Sequence, residues 1–164
     1  MQGEFYDAIT SFEYGAFTQI MMLPNVEVGI EPRNKLKVFI ADDSLIVRER
    51  LVTMLAELPG VEIVGQAEHV AEAINAIQKF QPDVVILDIR MPGGSGLDVL
   101  RNIKQNEPAP MVIILTNYPY PGYRQKCLQA GADFFLDKST EFDQIPELFE
   151  QFKRGFESDQ AQPG

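Results

Sequence analysis

The sequence has 164 residues, of which 45% are hydrophobic and 23% are charged, as in an ordinary globular protein. Its length predicts one compact domain with an additional segment. A formal net charge of -10 argues against direct nucleic-acid binding, because contacts to phosphates need clustered lysine and arginine.

Cysteine usage and hydrophobic runs exclude further classes of protein. The single cysteine, Cys127, excludes an internal disulfide, and the lack of a Cys/His cluster excludes a typical zinc site. The first basic residue is Arg33, whereas a secretory leader needs a basic start. No apolar run is long enough to cross a bilayer. We therefore expect a soluble cytoplasmic protein without membrane insertion.

Strand and helix patterns alternate along residues 35–155. Runs rich in β-branched and aromatic residues predict strands, and apolar positions at helical spacing predict the helices between them. The predicted strands are 36–42, 61–67, 83–88, 111–116 and 133–137, and the predicted helices are 44–58, 70–80, 96–105, 124–130 and 145–154. The expected core residues are Leu45, Ile74, Ile77, Val85 and Ile113.

The predicted strands are apolar along most of their length, which is typical of a parallel sheet covered on both faces. The expected fold class is therefore α/β, a doubly wound five-stranded parallel sheet with helices on both faces. Ligands of such folds bind at the carboxyl ends of the strands. Residues that follow the strands are thus the candidates for a functional site.

Three carboxylates, a hydroxyl and an ammonium follow four of these strands. Asp42 and Asp43 end the first strand, Asp88 the third and Thr116 the fourth, and Lys138 follows the fifth. Three acids on one rim would repel each other, and oxygen ligands with room for water suit Mg²⁺. Such a site favours phosphoryl transfer onto Asp88 as nucleophile, with Lys138 adding positive charge. No Walker loop or GxGxxG motif is present, so the phosphoryl donor must come from elsewhere.

Four motifs, in this order, resemble the receiver domain of two-component response regulators. They are ADDS at 41–44, LDIRMPGGSG at 87–96, ILTN at 114–117 and ADFFLDKS at 132–139. The resemblance spans residues 35–154. Over this range the sequence is similar to the chemotaxis response regulator. Two further segments are similar to those of receivers attached to helix-turn-helix output domains, namely LIVRERL at 45–51 and DKST at 137–140. The resemblance implies a flavodoxin-like sheet with strand order 2-1-3-4-5.

The resemblance also implies a role for each matched residue at the acidic rim. Asp88 would accept the phosphoryl group and would be one ligand of Mg²⁺. Asp42, Asp43 and the backbone carbonyl of Arg90 would be the other protein ligands. Lys138 would bind the phosphoryl oxygens.

A switch pair and a turn are implied beside the acceptor. Thr116 would move toward the phosphoryl group, and Phe135 would fill the vacated space from outside. Met91-Pro92 and Gly96 would complete the turn that follows the acceptor.

Two positions depart from the family pattern. Asn117 follows the switch threonine, where a small residue is usual, and Ser139 follows the lysine, where proline is common. Arg90 and Tyr118 also flank the site. We hypothesise that Asn117, Tyr118 and Arg90 slow hydrolysis of the phosphorylated form.

Aromatic and basic residues cluster around the fourth and fifth predicted helices. They are Tyr118, Tyr120, Tyr123, Arg124, Lys126, Phe135 and Arg154. Tyrosine and arginine are enriched at binding interfaces. We expect this face, with Tyr120 and Tyr123, to bind a downstream protein or to form a homodimer; the alternative is a few scattered aromatics on a loop.

Simpler roles exist for several of these residues. Asp42 and Asp43 could cap the following helix, where aspartate is favoured. Phe135 could be an ordinary strand aromatic. His69 is expected on the surface and Cys127 in the core.

The two ends of the sequence lie outside the alternating pattern. Residues 1–34 carry apolar residues at the spacing of one helical face, followed by prolines. These are Phe5, Ile9, Phe12, Ala16 and Ile20, then Pro24 and Pro32. A docking helix with a linker and an extension without a fold stay open. Residues 156–164 are polar and are expected to form a disordered tail.

The leading hypothesis is a phosphoacceptor response regulator with no chemistry beyond phosphoryl uptake and autodephosphorylation. Its partners would be a histidine kinase or phosphotransfer protein and a downstream target. An aspartyl-phosphate phosphatase would need a general-acid aspartate at position 90, which is Arg90 here. The complete set of site residues argues against a pseudo-receiver that acts only as a binding module. No DNA-binding domain follows residue 155 here, so the output is carried by a separate partner, or the sequence is a fragment of a longer DNA-binding regulator.

Overall fold

The structure is a computed structural model that describes residues 35–160. The helix and linker predicted within residues 1–34 lie outside the described residues, as does the end of the predicted tail, 161–164.

Strands and helices alternate along the described chain. In order they are β1 Leu36–Ala41, α1 Leu45–Ala56, β2 Val61–Ala67, α2 Val70–Phe80, β3 Val84–Leu87, α3 Gly96–Ile103, β4 Met111–Thr116, α4 Pro121–Gln129, β5 Phe134–Asp137 and α5 Ile145–Gln160. Two short features were not predicted. Arg90–Met91 pairs with Gly94–Ser95 in a small antiparallel ladder, and a 3₁₀ helix, Phe142–Gln144, leads into α5.

The five main strands form one parallel sheet in the order β2-β1-β3-β4-β5. This order confirms the predicted fold class. Ala41, the last residue of β1, pairs with Ala67 and with Leu87, the last residues of the strands on either side. Three strands therefore end level with each other, and the residues after them meet at one edge of the sheet.

Two apolar clusters cover the two faces of the sheet. Alternation along β1 illustrates the division, because Phe39 belongs to one cluster whereas Val38 and Ile40 belong to the other. Helices α2, α3 and α4 contribute to the first cluster, while α1 and α5 contribute to the second. The predicted core residue Ile77 lies in the first cluster and Ile113 in the second.

Leu45 was predicted as a core residue, and this was wrong, because its side chain is 58% exposed. Leu51 and Leu55 form the buried face of α1 instead. The helix begins at the edge where β1 ends, so its first turn has little sheet to cover. Ile46, the next residue, is 78% exposed for the same reason. Ile74 is only half-buried, packed against the first cluster.

Helix α5 continues to Gln160, past its predicted end at residue 154. Residues 156–160 are therefore helical and are not part of a disordered tail. The extension has a packing reason: Phe149, Phe152 and Phe156 recur at helical spacing and pack into the second cluster. Within residues 35–160 no helix has both the length and the apolar character needed to cross a membrane.

Candidate functional site: an acidic rim at the carboxyl edge of the sheet

Backbone hydrogen bonds extend past the ends of the central strands and fix two aspartates side by side. The Asp88 N–H donates to the Ala41 carbonyl at 2.9 Å, and the Asp42 N–H donates to the Ala67 carbonyl at 3.0 Å. Both residues are buried, with 5% and 2% of their surface exposed. Two carboxylates are therefore held at the same edge by the geometry of the sheet.

Asp42, Asp43 and Asp88 form one acidic cluster. Each offers a carboxylate oxygen, and these three oxygens lie within 4.8 Å of one another. Asp43 is exposed, whereas the other two are buried. Like charges this close are unfavourable without a compensating cation.

Lys138 supplies part of that compensation. Its Nζ lies 3.1 Å from Asp88 Oδ2 and also forms an ion pair with Asp42 Oδ2. The lysine side chain is only 6% exposed, and its backbone N–H donates to the Thr116 carbonyl at 2.9 Å. Three carboxylates and one ammonium still leave a formal charge of -2 at the rim.

One oxygen of the proposed acceptor has no partner in the described part of the chain. Asp88 Oδ1 is buried and has no partner at ordinary hydrogen-bond geometry, although the Arg90 backbone N–H lies near enough to the carboxylate to lower its pKa. Burial raises the pKa of Asp88, the positive charge of Lys138 opposes this, and the nearby Asp42 charge raises the pKa further. An unpaired buried carboxylate oxygen is costly. The arrangement therefore fits a cation or a reacting group at this oxygen.

Helix capping by Asp42 and Asp43 was the simpler alternative, and the structure contradicts it. Ser44 is the N-cap of α1, and its hydroxyl accepts from the Val47 N–H at 3.4 Å. Asp42 Oδ1 instead accepts from the Ser44 N–H at 2.8 Å. Arg48, which the sequence did not single out, donates to the Asp42 carbonyl at 2.7 Å and braces the same residue.

A glycine allows the chain to fold back against Asp88. The Gly96 N–H donates to the Ile89 carbonyl at 2.7 Å. A Cβ atom on Gly96 would lie 2.0 Å from the Asp88 carbonyl oxygen, closer than any side chain tolerates. Next to it, Ser95 and Asp98 form a capping box that begins α3, and Met91 is buried.

Thr116 is fully buried, and its hydroxyl accepts from the Tyr118 N–H at 3.1 Å. Phe135 is only 3% exposed and belongs to the first apolar cluster, with the Arg124 guanidinium 5.5 Å from its ring centroid. The ring therefore packs in the core, as the simpler role of an ordinary strand aromatic predicts, and does not lie outside it; the switch role of Phe135 stays a prediction.

Aromatic and basic side chains line the loop beside the site. The Arg90 guanidinium stacks over the Tyr118 ring at 3.7 Å from its centroid, and Asn117 is exposed. The Tyr120 ring lies 6.4 Å from the Tyr118 ring and 6.3 Å from the Tyr123 ring. Tyr120 is 60% exposed, so part of this tyrosine row is open to solvent.

Other residues singled out from the sequence lie away from the rim. His69 is exposed at the start of α2 without a capping hydrogen bond from its side chain, and Cys127 is buried. Lys126 and Arg154 are exposed on α4 and α5.

The described chain thus combines a parallel α/β sheet with three carboxylates and a buried lysine at its carboxyl edge, the arrangement expected of a receiver domain. Comparison with known families agrees: the response regulator receiver domain matches residues 38–150. The chain therefore belongs to the receiver family of two-component response regulators. Receiver domains are mostly non-enzymatic signalling modules, and they bind Mg²⁺ at an acidic pocket.

Curated relatives include enzymes and transcriptional regulators. The chain is 38% identical, over 122 residues, to a protein-glutamate methylesterase/protein-glutamine glutaminase of Alkalilimnicola ehrlichii, covering 73% of this chain and 30% of that protein. It is 35% identical to the uncharacterized transcriptional regulatory protein YvfU of Bacillus subtilis, covering 73% of this chain and 60% of the relative. The chain thus spans at most about three fifths of these relatives.

Solved structures of receiver domains share the fold. The receiver domain of the putative regulator NarL from Mycobacterium tuberculosis is 31% identical with a TM-score of 0.68, covering 74% of this chain and 98% of that one. The isolated receiver domain of RcsB from Salmonella enterica serovar Typhimurium, with the phosphomimetic BeF₃⁻, is 28% identical with a TM-score of 0.69. That comparison covers 74% of this chain and 91% of the RcsB domain.

Proposed function

We propose that this chain is a phosphoacceptor: a histidine kinase or phosphotransfer protein of the cytoplasm phosphorylates Asp88, and the modification changes a protein-binding surface. One observation carries the proposal. Asp88 is buried with one oxygen unpartnered, while its other oxygen lies 3.1 Å from the Lys138 ammonium. A free nucleophilic oxygen beside a fixed cation is the arrangement that phosphoryl uptake needs.

Phosphoryl transfer from a phosphohistidine to Asp88 needs no further reactant. The Asp88 carboxylate oxygen attacks the phosphorus of a phosphohistidine, and an O–P bond forms as the P–N bond breaks. The electron pair of the broken bond returns to the imidazole nitrogen. Lys138 can then exchange part of its ion pair with Asp88 for a contact with a phosphoryl oxygen.

The residues present fit a magnesium ion, which receiver domains hold at this place. Asp42, Asp43, Asp88 and the Arg90 carbonyl would be its protein ligands, and the bound ion would supply the positive charge that the rim lacks. The unpartnered Asp88 Oδ1 and the formal charge of -2 are the observations that support this fit.

Thr116 would couple phosphorylation to the neighbouring loop. A hydroxyl has one donor and two acceptor positions, and that of Thr116 already accepts from the Tyr118 N–H. Its proton is therefore available for a phosphoryl oxygen. Because the Phe135 ring is already buried, the switch would begin with Thr116 and Tyr118, and the ring would adjust within the core.

The surface that responds would contain Tyr120 and Tyr123. Tyr120 is exposed, Tyr123 is half-buried against the first cluster, and Arg124 follows directly. Such a surface could take a downstream protein or a second copy of the chain. Normal dimerisation and partner binding by a protein with Tyr120→Ala and Tyr123→Ala would exclude this surface.

A second hypothesis concerns the output. Regulators with DNA-binding or transcriptional functions are among the relatives, and the chain covers only part of their length. The chain could therefore be the receiver part of a longer transcriptional regulator. Both hypotheses share the same phosphoacceptor chemistry.

Mass spectrometry tests the phosphoacceptor proposal directly. The protein is incubated with Mg²⁺ and acetyl phosphate, and wild type is compared with Asp88→Asn. We expect one phosphoryl addition that disappears in the variant and without the metal. Labelling of Asp88→Asn at the wild-type rate would show that the acceptor lies elsewhere.

A further inference from the structure

Side-chain hydrogen bonds close the turn after β5 on both sides of Lys138, the lysine of the site. Asp137 Oδ1 accepts from the Ser139 backbone N–H at 2.8 Å and from the Ser139 hydroxyl at 2.6 Å. In the same turn the Asp137 N–H donates to Glu141 Oε2 at 2.9 Å, and the Glu141 N–H donates to the Asp137 carbonyl at 2.8 Å. Asp137 is thus fixed on both sides by residues that follow it.

Lys138 lies inside this closed turn. Its backbone N–H is bound to Thr116, and Asp137, the preceding residue, pairs with Thr116 in the sheet. A lysine side chain has four rotatable bonds, so the place of its ammonium depends on where its backbone is held. Without the turn the backbone around Lys138 would lose three hydrogen bonds, which are made by the N–H groups of Ser139, Asp137 and Glu141.

We propose that Asp137 and Glu141 are positioning residues that set the Lys138 ammonium against Asp88. Their side-chain hydrogen bonds to backbone N–H groups do so in a turn where Ser139 takes the place that proline commonly occupies. The proposal rests on the proposed phosphoacceptor function. Misplacing a group in a transfer site by about 1 Å can cost on the order of a hundredfold in rate.

The supporting contacts are independent of the acidic rim. Asp137 and Glu141 are half-buried, and neither is among the three carboxylates of the acidic cluster. Hydrogen bonds from Ser139 lower the pKa of Asp137, so the carboxylate accepts them over a wide pH range. The side chains of the turn therefore reach the site through the backbone next to Lys138, without being members of the acidic cluster.

Phosphorylation by acetyl phosphate over a range of donor concentrations tests the proposal. Asp137→Ala should lower the maximal rate about tenfold and leave the half-saturating donor concentration unchanged. Asp137→Asn should stay within about twofold of wild type, because an amide oxygen accepts the same hydrogen bonds. Asp143→Ala is the matched control, because Asp143 lies in the same segment, has a side chain that is 90% exposed and pairs with the exposed Arg50, away from Lys138.

A double-mutant cycle with Lys138→Ala separates positioning from general damage to the fold. If Asp137 acts through the ammonium, Asp137→Ala should have no further effect on the rate once Lys138 is alanine. Full additivity of the two losses would overturn the proposal. Glu141→Ala gives the same test if Asp137→Ala does not fold.

A readout without phosphorylation keeps the two proposals apart. The Lys138 ammonium should give a slowly exchanging ¹⁵N NMR signal in wild type, Asp137→Asn and Asp143→Ala, and lose it in Asp137→Ala. An unchanged signal in Asp137→Ala contradicts positioning. Loss of the signal in Asp137→Ala supports positioning even if neither acetyl phosphate nor a histidine kinase labels the wild type, a result that would refute phosphoacceptance alone.

Discussion

As the proposed phosphoacceptor, Asp88 combines two demands that oppose each other: it must react, although it is buried. Only 5% of the residue is exposed, and burial is the largest cause that raises its pKa. Lys138 compensates in part, but one carboxylate oxygen remains unpaired within the described chain. The site therefore holds a destabilising carboxylate oxygen that a bound cation would pair with and that a phosphoryl group would bond to.

The raised pKa of Asp88 predicts a pH-dependent loss of stability. The ordinary value is 3.8, and between it and the higher value in the fold the folded protein holds more protons than the unfolded chain. The free energy of unfolding must fall as pH rises through this window, and Asp88 lowers stability at neutral pH. Asp88→Asn should therefore raise the free energy of unfolding at pH 7 by roughly 1–3 kcal/mol, as for other unpaired buried groups. The variant should accordingly unfold at a higher temperature.

Thermal unfolding of wild type and Asp88→Asn in metal-free buffer checks this. The difference between the two should shrink as pH is lowered toward about 4, where carboxyl groups become protonated. An Asp88→Asn protein less stable than wild type at pH 7 would mean that Lys138 outweighs burial.

The Arg90–Tyr118 stack makes a prediction about the lifetime of the phosphorylated state. The Arg90 guanidinium lies 3.7 Å from the centroid of the Tyr118 ring, so we expect the two side chains to act as one unit beside the site. Arg90→Ala and Tyr118→Ala should each shorten the lifetime severalfold, and the double variant should add little more. Lifetimes follow from the decay of labelled protein after the donor is removed. Unchanged lifetimes in both single variants would exclude a role in shielding the acyl phosphate.

Among the elements, the turn between β3 and α3 is the most restricted. Gly96→Ala would bring a Cβ to 2.0 Å from the Asp88 carbonyl oxygen, so the backbone of the acceptor must move. We expect a loss of about 1–3 kcal/mol in the free energy of unfolding, as for other overpacked positions, with slower phosphorylation. Denaturant unfolding measures the first and mass spectrometry the second.

Gly122 in α4 is a matched control for Gly96. A Cβ atom there would meet nothing within 4 Å, so Gly122→Ala should be neutral or stabilising by up to about 1 kcal/mol. If both alanine variants lost equal stability, the close approach at Gly96 would not be the cause.

The elements also show what a sequence can predict. The strands, their parallel arrangement and the residues at their ends follow from local patterns, because residues 42, 88, 116 and 138 each end or follow an apolar run. The order of the strands in the sheet was implied by the family resemblance alone. The exposure of Leu45, the burial of Phe135 and the extension of α5 depend instead on which surface each element covers. The turn made by Asp137 and Glu141 was missed because side-chain hydrogen bonds in a loop leave no periodic signal.

For the whole molecule, the charge at the rim predicts that Mg²⁺ stabilises the fold. A ligand that binds only the folded state adds about 1.4 kcal/mol at ten times its dissociation constant. Mg²⁺ should raise the unfolding temperature of wild type and have much less effect on Asp88→Asn and Asp43→Asn. A rise of equal size in all three proteins would indicate a general salt effect and no magnesium at this rim.

The hydrogen bond between Lys138 and Asp88 joins residues 50 positions apart, and the rim draws on the ends of β1, β3, β4 and β5. None of these segments can form the acceptor site alone, because each contributes only one or two of its groups. Loop closure over such distances comes late in folding. Labelling of Asp88 would consequently count only chains whose sheet is complete, so a phosphorylation assay on any variant is at the same time an assay of its folded fraction.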